Sequence, residues 1–181
     1  MPKDVFRPRL GRPHHHAYLV DDIEATVEAL AEKLGAGPFF LVEGVPLENV
    51  LSRGEPAEFA HDSAFGLCGD GALELIRPIR LAPDRVEARF AGGGPRIHHV
   101  GYVVPADSAR ALRDELDERN LPAYLSSRLG ELDATLHDAS ALLGHDLEIH
   151  VENDGLREFF GLVRAAAEGW DGSSPLRPAP G

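Results

Sequence analysis

The chain has 181 residues, 43% of them hydrophobic, with 30 acidic against 18 basic side chains and a formal net charge of −12. This length and composition give a globular chain of one domain, or of two small modules sharing a core, and the acidic balance argues against a nucleic-acid backbone or an anionic membrane surface as a partner. Cys68 is the only cysteine, so no intrachain disulfide forms, and no run approaches the roughly 20 apolar residues needed to span a bilayer.

Residues 1–13 are rich in Pro and Arg and read as an irregular arm; Arg7, Arg9 and Arg12 are a solvated lead-in. The opening MPKDVFRPRLGRP has no continuous apolar region, which argues against a secretory signal and for a cytoplasmic protein. His15 to Val20 is a short strand. Asp21 or Asp22 then caps a helix whose apolar positions Ile23, Val27, Leu30, Ala31 and Leu34 recur at helical spacing, and Gly35 stops it. Phe39 to Val42 is a second strand, followed by a loop through Pro46, Arg53, Gly54 and Pro56. A strand near 58–67 turns at Gly69-Asp70-Gly71 into a hairpin partner at 72–76.

Gly92-Gly93-Gly94-Pro95 is a linker, and after it the order begins again. A strand at 97–104 precedes a helix capped at Asp107 or Ser108 that buries Ala109, Leu112 and Leu116. Short strands follow near 123–125, 134–137 and 147–151. The reading is an internal duplication with the boundaries 14–91, 92–96 and 97–153, and with 154–181 as a further helix and exposed tail. In that tail Leu156, Phe159, Phe160, Val163, Ala167 and Trp170 are spaced to bury one face, against the other module or a second subunit. The alternative is that Phe159, Phe160 and Trp170 line a substrate mouth. The fold class is α+β: two βαβββ modules forming a cupped mixed sheet, plus a C-terminal helix.

Chemistry enters with a histidine and a glutamate in each half, at corresponding strands: His15 and Glu74, then His99 and Glu148. A single histidine in an apolar strand is ordinarily a hydrogen-bonded core residue, and a glutamate in LELI can lie on a solvated face. The pair occurring twice at matched positions points instead to one shared centre. Side chains alternate along a strand, so His15 shares its face with Ala17 and Leu19, and His99 shares its face with Gly101 and Val103. These small residues leave room above a metal. Two imidazoles and two carboxylates suit one divalent ion among Zn, Ni, Co, Mn, Fe and Mg. Open positions on such an ion make it a Lewis acid.

The runs HHAYLVDDIEA, GAGPFFL, ALELIRP, HHVGYVV and DLEIHVE resemble the vicinal oxygen chelate superfamily over roughly residues 12–154. That group includes glyoxalase I, methylmalonyl-CoA epimerase, extradiol dioxygenases, and fosfomycin- and bleomycin-resistance proteins. The resemblance implies paired βαβββ modules around one metal, with ligands at His15, Glu74, His99 and Glu148. Its four-ligand pattern is nearest to glyoxalase I and the epimerase. His16 departs from the usual apolar residue, which makes His14 or His16 a substitute ligand for His15. The implied activity is that of a lyase, isomerase or epimerase acting on a small carbonyl compound by proton transfer, in a homodimer. The competing readings are an antibiotic-type sequestering protein and an extradiol-type dioxygenase. His150, His61 and Glu148 are the candidate bases, His137 and His145 are read as loop or rim residues, and the substrate itself is not legible.

Overall fold

The computed structural model describes residues 10–180; Arg7 and Arg9 of the N-terminal arm lie outside the described residues. The first half runs β1 (His15–Leu19), α1 (Ile23–Leu34), β2 (Phe39–Val42), β3 (Glu48–Ser52), β4 (Glu55–Pro56), β5 (Glu58–Cys68), β6 (Gly71–Ala82) and α2 (Asp84–Phe90). The second runs β7 (Arg96–Val104), α3 (Ala106–Glu118), β8 (Ala123–Leu129), β9 (Leu132–His137), α4 (Ser140–Leu143) and β10 (Asp146–Val151). A tail of α5 (Asp154–Ala167) and β11 (Leu176–Pro178) completes it. None of the described helices is long and apolar enough to cross a membrane.

Local sequence explains the element ends. The Asp22 carboxylate accepts the Ala25 N–H at 3.0 Å and opens α1, and Gly35 closes it at φ 62°, a left-handed conformation that costs glycine little. Asn153 caps α5 in the same way, accepting from the Leu156 N–H at 2.8 Å. The expected cap of α3 at Asp107 or Ser108 is not found: the helix starts two or three residues earlier behind Pro105, with no side-chain cap, and Ser108 bonds back to the Pro105 carbonyl. Proline suits that position because its fixed φ matches a helix start.

All eleven strands form one mixed sheet in the order β11-β2-β5-β6-β1-β7-β10-β9-β8-β3-β4. Read outward from the antiparallel β1–β7 seam, each half lays down its first strand, then its last in parallel, then the third and second. The stretch expected as a loop at 46–56 is the β3–β4 hairpin, turning at Arg53 and Gly54, both with positive φ. It crosses to the far edge of the second half and pairs with β8. The tail that reads as exposed returns as β11 onto β2 of the first half. Each half thus has its edge strand covered by a segment from elsewhere in the chain, which removes two templates for aggregation.

On one face α1 packs Ile23 and Val27 against Phe39, Ala64 and Leu75, and α3 packs Ala109, Leu112 and Leu116 against Val104, Leu147 and Ile149. The other face carries Ala17, Leu19, Phe59, Ile76 and Leu136 beneath the site. Leu112 is 1% exposed. Leu112→Ala should therefore lower unfolding stability by about 2–5 kcal/mol through the cavity left under α3, measured as a shift in the urea midpoint at unchanged slope.

Candidate metal centre

Four adjacent strands at the middle of the sheet, β6, β1, β7 and β10, each carry one of the paired residues. Ala17 lies opposite Glu74 on one side and His99 on the other, and Gly101 lies opposite both His15 and Glu148. This register turns His15, Glu74, His99 and Glu148 to the same face. One donor atom from each falls within 4.8 Å of the other three. His15 Nε2 is 3.3 Å from an oxygen of Glu74 and 3.3 Å from one of Glu148; His99 Nε2 is 3.6 Å and 3.1 Å from the same two oxygens. His15, Glu74 and His99 are buried and Glu148 is half-buried. His14 and His16 are not in the cluster.

Both Nε2 atoms are buried and make no hydrogen bond. Two carboxylates face each other across them. Burying two negative charges side by side is costly unless a cation lies between them, and two neutral imidazoles with two carboxylates are a donor set that suits a divalent ion. The residues fit such an ion. Supporting contacts orient the donors: the Ser63 hydroxyl donates to Glu74 Oε1 at 2.7 Å, leaving Oε2 for the centre, and His150 Nε2–H donates to Glu148 Oε2 at 2.6 Å.

The electrostatics carry the same message. Burial alone would depress His99, but the attraction of the Glu148 and Glu74 carboxylates outweighs it and lifts the imidazole to about 10. His15 is raised by the same two carboxylates against the same desolvation. Burial pushes both glutamates up, and the surrounding imidazoles reverse this and hold both well below the usual carboxylate range. Without an ion the cluster therefore keeps a proton on His99 at neutral pH and favours one on His15. Loading with Zn at pH 7 should release protons, up to about two per ion, which calorimetry in buffers of different ionisation enthalpy would count. The stripped protein gains stability from the raised His99 below the ordinary imidazole value of about 6.5, and loses it as pH rises through about 10. The depressed glutamates contribute above their ordinary values and lose that contribution on acidification.

The sequence profile of the Glyoxalase/Bleomycin resistance protein/Dioxygenase superfamily matches residues 14–133. The chain belongs to this superfamily. The matched range includes His15, Glu74 and His99 and ends before Glu148. No curated protein matches the chain. Among solved structures it is similar to a methylmalonyl-CoA epimerase from Mycobacterium tuberculosis, with 13% identity, 85% of this chain and 96% of that one covered, and a TM-score of 0.53. It is also similar to a hypothetical protein from Bacillus halodurans C-125, with 17% identity, 79% and 95% covered, and a TM-score of 0.50. At these identities the likeness is one of fold.

In this superfamily member the four side chains form the floor of a cavity of about 590 Å³. Its walls include Val42, Leu47, Phe59 and Phe65 from the first half and Leu129 and Leu132 from the second. Phe159 and Phe160 of α5 also line it, as do Ala179 and Pro180. The two phenylalanines therefore line the cavity and also pack on the first half through Phe65, at ring distances of 5.2 and 5.8 Å. Trp170 does not line it: its ring sits against Gly37, where an added Cβ would be 2.9 Å from Cη2, and its Nε1–H donates to the Ser173 carbonyl.

Both candidate imidazole bases reach the cavity, with different partners. His150 Nε2 is engaged by Glu148 and its Nδ1 is buried without a partner. His61 stacks on Phe59 at 4.0 Å and donates its Nδ1–H to the Phe59 carbonyl at 3.3 Å, which leaves Nε2 with a lone pair. Burial, against the opposing pull of Glu74, lowers its pKa and keeps it neutral. His137, expected at a rim, is a core residue: it is 0% exposed, donates to the Leu121 carbonyl at 2.8 Å and accepts from the Thr135 hydroxyl at 3.1 Å.

Three contributors escape sequence reasoning. Ser63 is given no role by sequence; its place on β5, paired with the strand of Glu74, is the signal that could have found it. Asp146 accepts from the Tyr124 hydroxyl at 2.8 Å and pairs with Arg89 of α2 behind the site. Gly101, expected to leave room above a metal, makes room instead for the His15 ring: a Cβ there would stand 2.1 Å from His15 Cε1. Gly101→Ala should displace that imidazole and weaken Zn binding on the order of 10–100-fold, as measured by competition with a chromophoric chelator.

Proposed function

We propose that the chain holds one divalent ion, among Zn, Ni, Co, Mn, Fe and Mg, through His15, Glu74, His99 and Glu148, and moves a proton at the carbon beside the carbonyl of a small compound. The reaction is of lyase, isomerase or epimerase type. The observation that carries this reading is the convergence of four donors from four adjacent strands on the floor of a cavity that also presents the free Nε2 of His61.

A divalent ion bound there would supply a Lewis acid that lowers the barrier to removing the neighbouring proton. The chain's own residues do the rest. His61 Nε2 accepts the proton, since its Nδ1–H is fixed on the Phe59 carbonyl and the ring is held flat against Phe59. His150 braces Glu148 through Nε2. Phe159, Phe160 and Leu156 line the cavity and exclude water from the reacting carbon.

The test is exchange of the proton beside the carbonyl with solvent deuterium, followed by NMR on chain loaded with each metal. The panel is 2-oxo acids, 2-oxoaldehyde adducts, aryl ketones and acyl thioesters. Metal-dependent exchange on any member supports the reading. Oxygen uptake with a catechol by the Fe(II) form would replace it with dioxygenase chemistry. Tight binding with neither exchange nor oxygen uptake would replace it with sequestration.

A further inference from the structure

The cavity carries a statement about its occupant that goes beyond the reaction type. Above the four donors its surface is mostly phenylalanine and branched aliphatic side chain, from Phe59 and Phe65, Leu129 and Leu132, and Phe159 and Phe160, with Ser127, Asn153 and the imidazoles of His61 and His150 as its uncharged polar groups. Among the described residues no lysine or arginine lines it. The charged side chain it does have outside the four donors, apart from histidines, is Glu131, which is exposed at the turn between β8 and β9. With a divalent ion in place the two glutamates balance its charge, so the floor offers no surplus positive charge. A phosphate or sulfonate entering this space would leave water without a counter-charge and would pass a carboxylate on the way, a cost that an uncharged ring does not meet. A cavity of about 590 Å³ lined in this way is of the size that takes a drug-sized organic molecule.

Resting on the proton-transfer reading for the role of the floor, we infer that the occupant is an uncharged aromatic or alicyclic carbonyl compound, and that the site does not take the phosphate-bearing thioester of a nucleotide carrier. The test reads binding without turnover, so its failure is separate from failure of the exchange experiment. The full chain, Zn-loaded and metal-stripped, is titrated with N-phenyl-1-naphthylamine and with 8-anilinonaphthalene-1-sulfonate, which bears a similar aromatic body plus one sulfonate. The uncharged probe should saturate at one per chain and bind at least about tenfold tighter than the sulfonate. Acetyl-CoA should not displace it. Leu129→Glu, at an exposed position on the rim, should weaken the uncharged probe severalfold without lowering the melting temperature, and Phe159→Ala should weaken it as well, with some loss of stability because the ring packs on Phe65. Equal or tighter binding of the sulfonate, displacement by acetyl-CoA, or probe binding indifferent to both substitutions would overturn the inference.

A second inference rests on a different observation. Each histidine of the cluster is met by the histidine before it in the chain: His14 Nδ1 is 3.2 Å from His15 Nδ1, and His98 Nδ1 is 2.9 Å from His99 Nδ1. Two ring nitrogens at that distance share one proton. If His15 and His99 present a lone pair on Nε2, the shared proton is on their own Nδ1, and His14 and His98 accept it. His98 is itself held by stacking on Phe90 at 4.3 Å, with Asp146 4.0 Å from its Nε2. The geometry assigns His14 and His98 as positioning residues that fix the tautomer and the ring orientation of the two ligands. Asparagine keeps an acceptor near the place of Nδ1 and leucine does not. His98→Leu should weaken Zn binding about 10–100-fold and His98→Asn much less, with the same contrast at the less buried His14. Equal losses for leucine and asparagine at both positions would mean packing alone, and no loss with leucine would mean no role; either result overturns the assignment.

Discussion

His99→Ala should reduce Zn uptake from about one ion per chain to none detectable at micromolar metal, a loss in affinity of at least about 10²-fold. Substituting even an outer partner of a ligand costs roughly 10–100-fold, and His99 is one of the four proposed direct donors. The geometry gives a reason for the loss to be this large. His99 Nε2 lies 3.6 and 3.1 Å from the same two carboxylate oxygens that His15 approaches, so its removal opens one side of the cluster and leaves Glu74 and Glu148 facing each other with half their compensation. In the stripped variant both carboxylates should then take up protons more readily than in the parent. Glu148→Ala should lose the metal as well, and it should also free His150 Nε2. Both variants should keep a cooperative thermal transition, because the apolar clusters under α1 and α3 do not include these residues. Elemental analysis and chelator competition are the readouts. Retained stoichiometric metal in both variants would remove these residues from the ligand set.

Much of this centre was legible because a strand keeps its side-chain period while carrying chemistry. In HHAYL the residues His15, Ala17 and Leu19 are buried and those between them half-buried, so one facing residue fixes the rest. Repetition supplied what a single strand lacks: one histidine is ambiguous, but two histidines and two glutamates at matching places are not explained by packing. What did not show in the sequence depends on contacts between distant segments. Residues 48–56 are short, charged and broken by Arg53-Gly54, and they become strands because the edge of β8 is free to pair. Leu176–Pro178 has too few residues for any periodicity and is ordered by β2. Ser63, Arg89 and Asp146 look like ordinary strand and helix surface residues until the fold brings the first beside Glu74 and the other two together behind His98. The helix start at Pro105 was missed because Asp107 and Ser108 are better capping residues in isolation, and the chain turns before it reaches them.

The substitution that should separate chemistry from binding is at His61. His61→Ala should slow deuterium exchange by roughly 10²–10⁴-fold, the usual contribution of a positioned base, while Zn content stays at about one per chain. The prediction follows from the difference between the two imidazoles in the cavity wall. His150 gives Nε2 to Glu148, so moving a proton onto it would mean breaking a 2.6 Å bond to a carboxylate. His61 has its Nδ1–H on a backbone carbonyl and its ring fixed against Phe59, which leaves Nε2 as the basic atom and holds it still. Because burial lowers the His61 pKa, the free base predominates at neutral pH, and the exchange rate should be flat there and fall only as pH drops below the ordinary imidazole value of about 6.5. In His61→Ala that acid limb should vanish along with most of the rate. His150→Ala should act differently: by loosening Glu148 it should weaken metal binding before it changes the rate of the fully loaded protein. If His61→Ala keeps the parent rate and pH profile, while His150→Ala at saturating metal loses both, the proton is taken by His150 or by the Glu148 it holds, and the two imidazoles exchange roles.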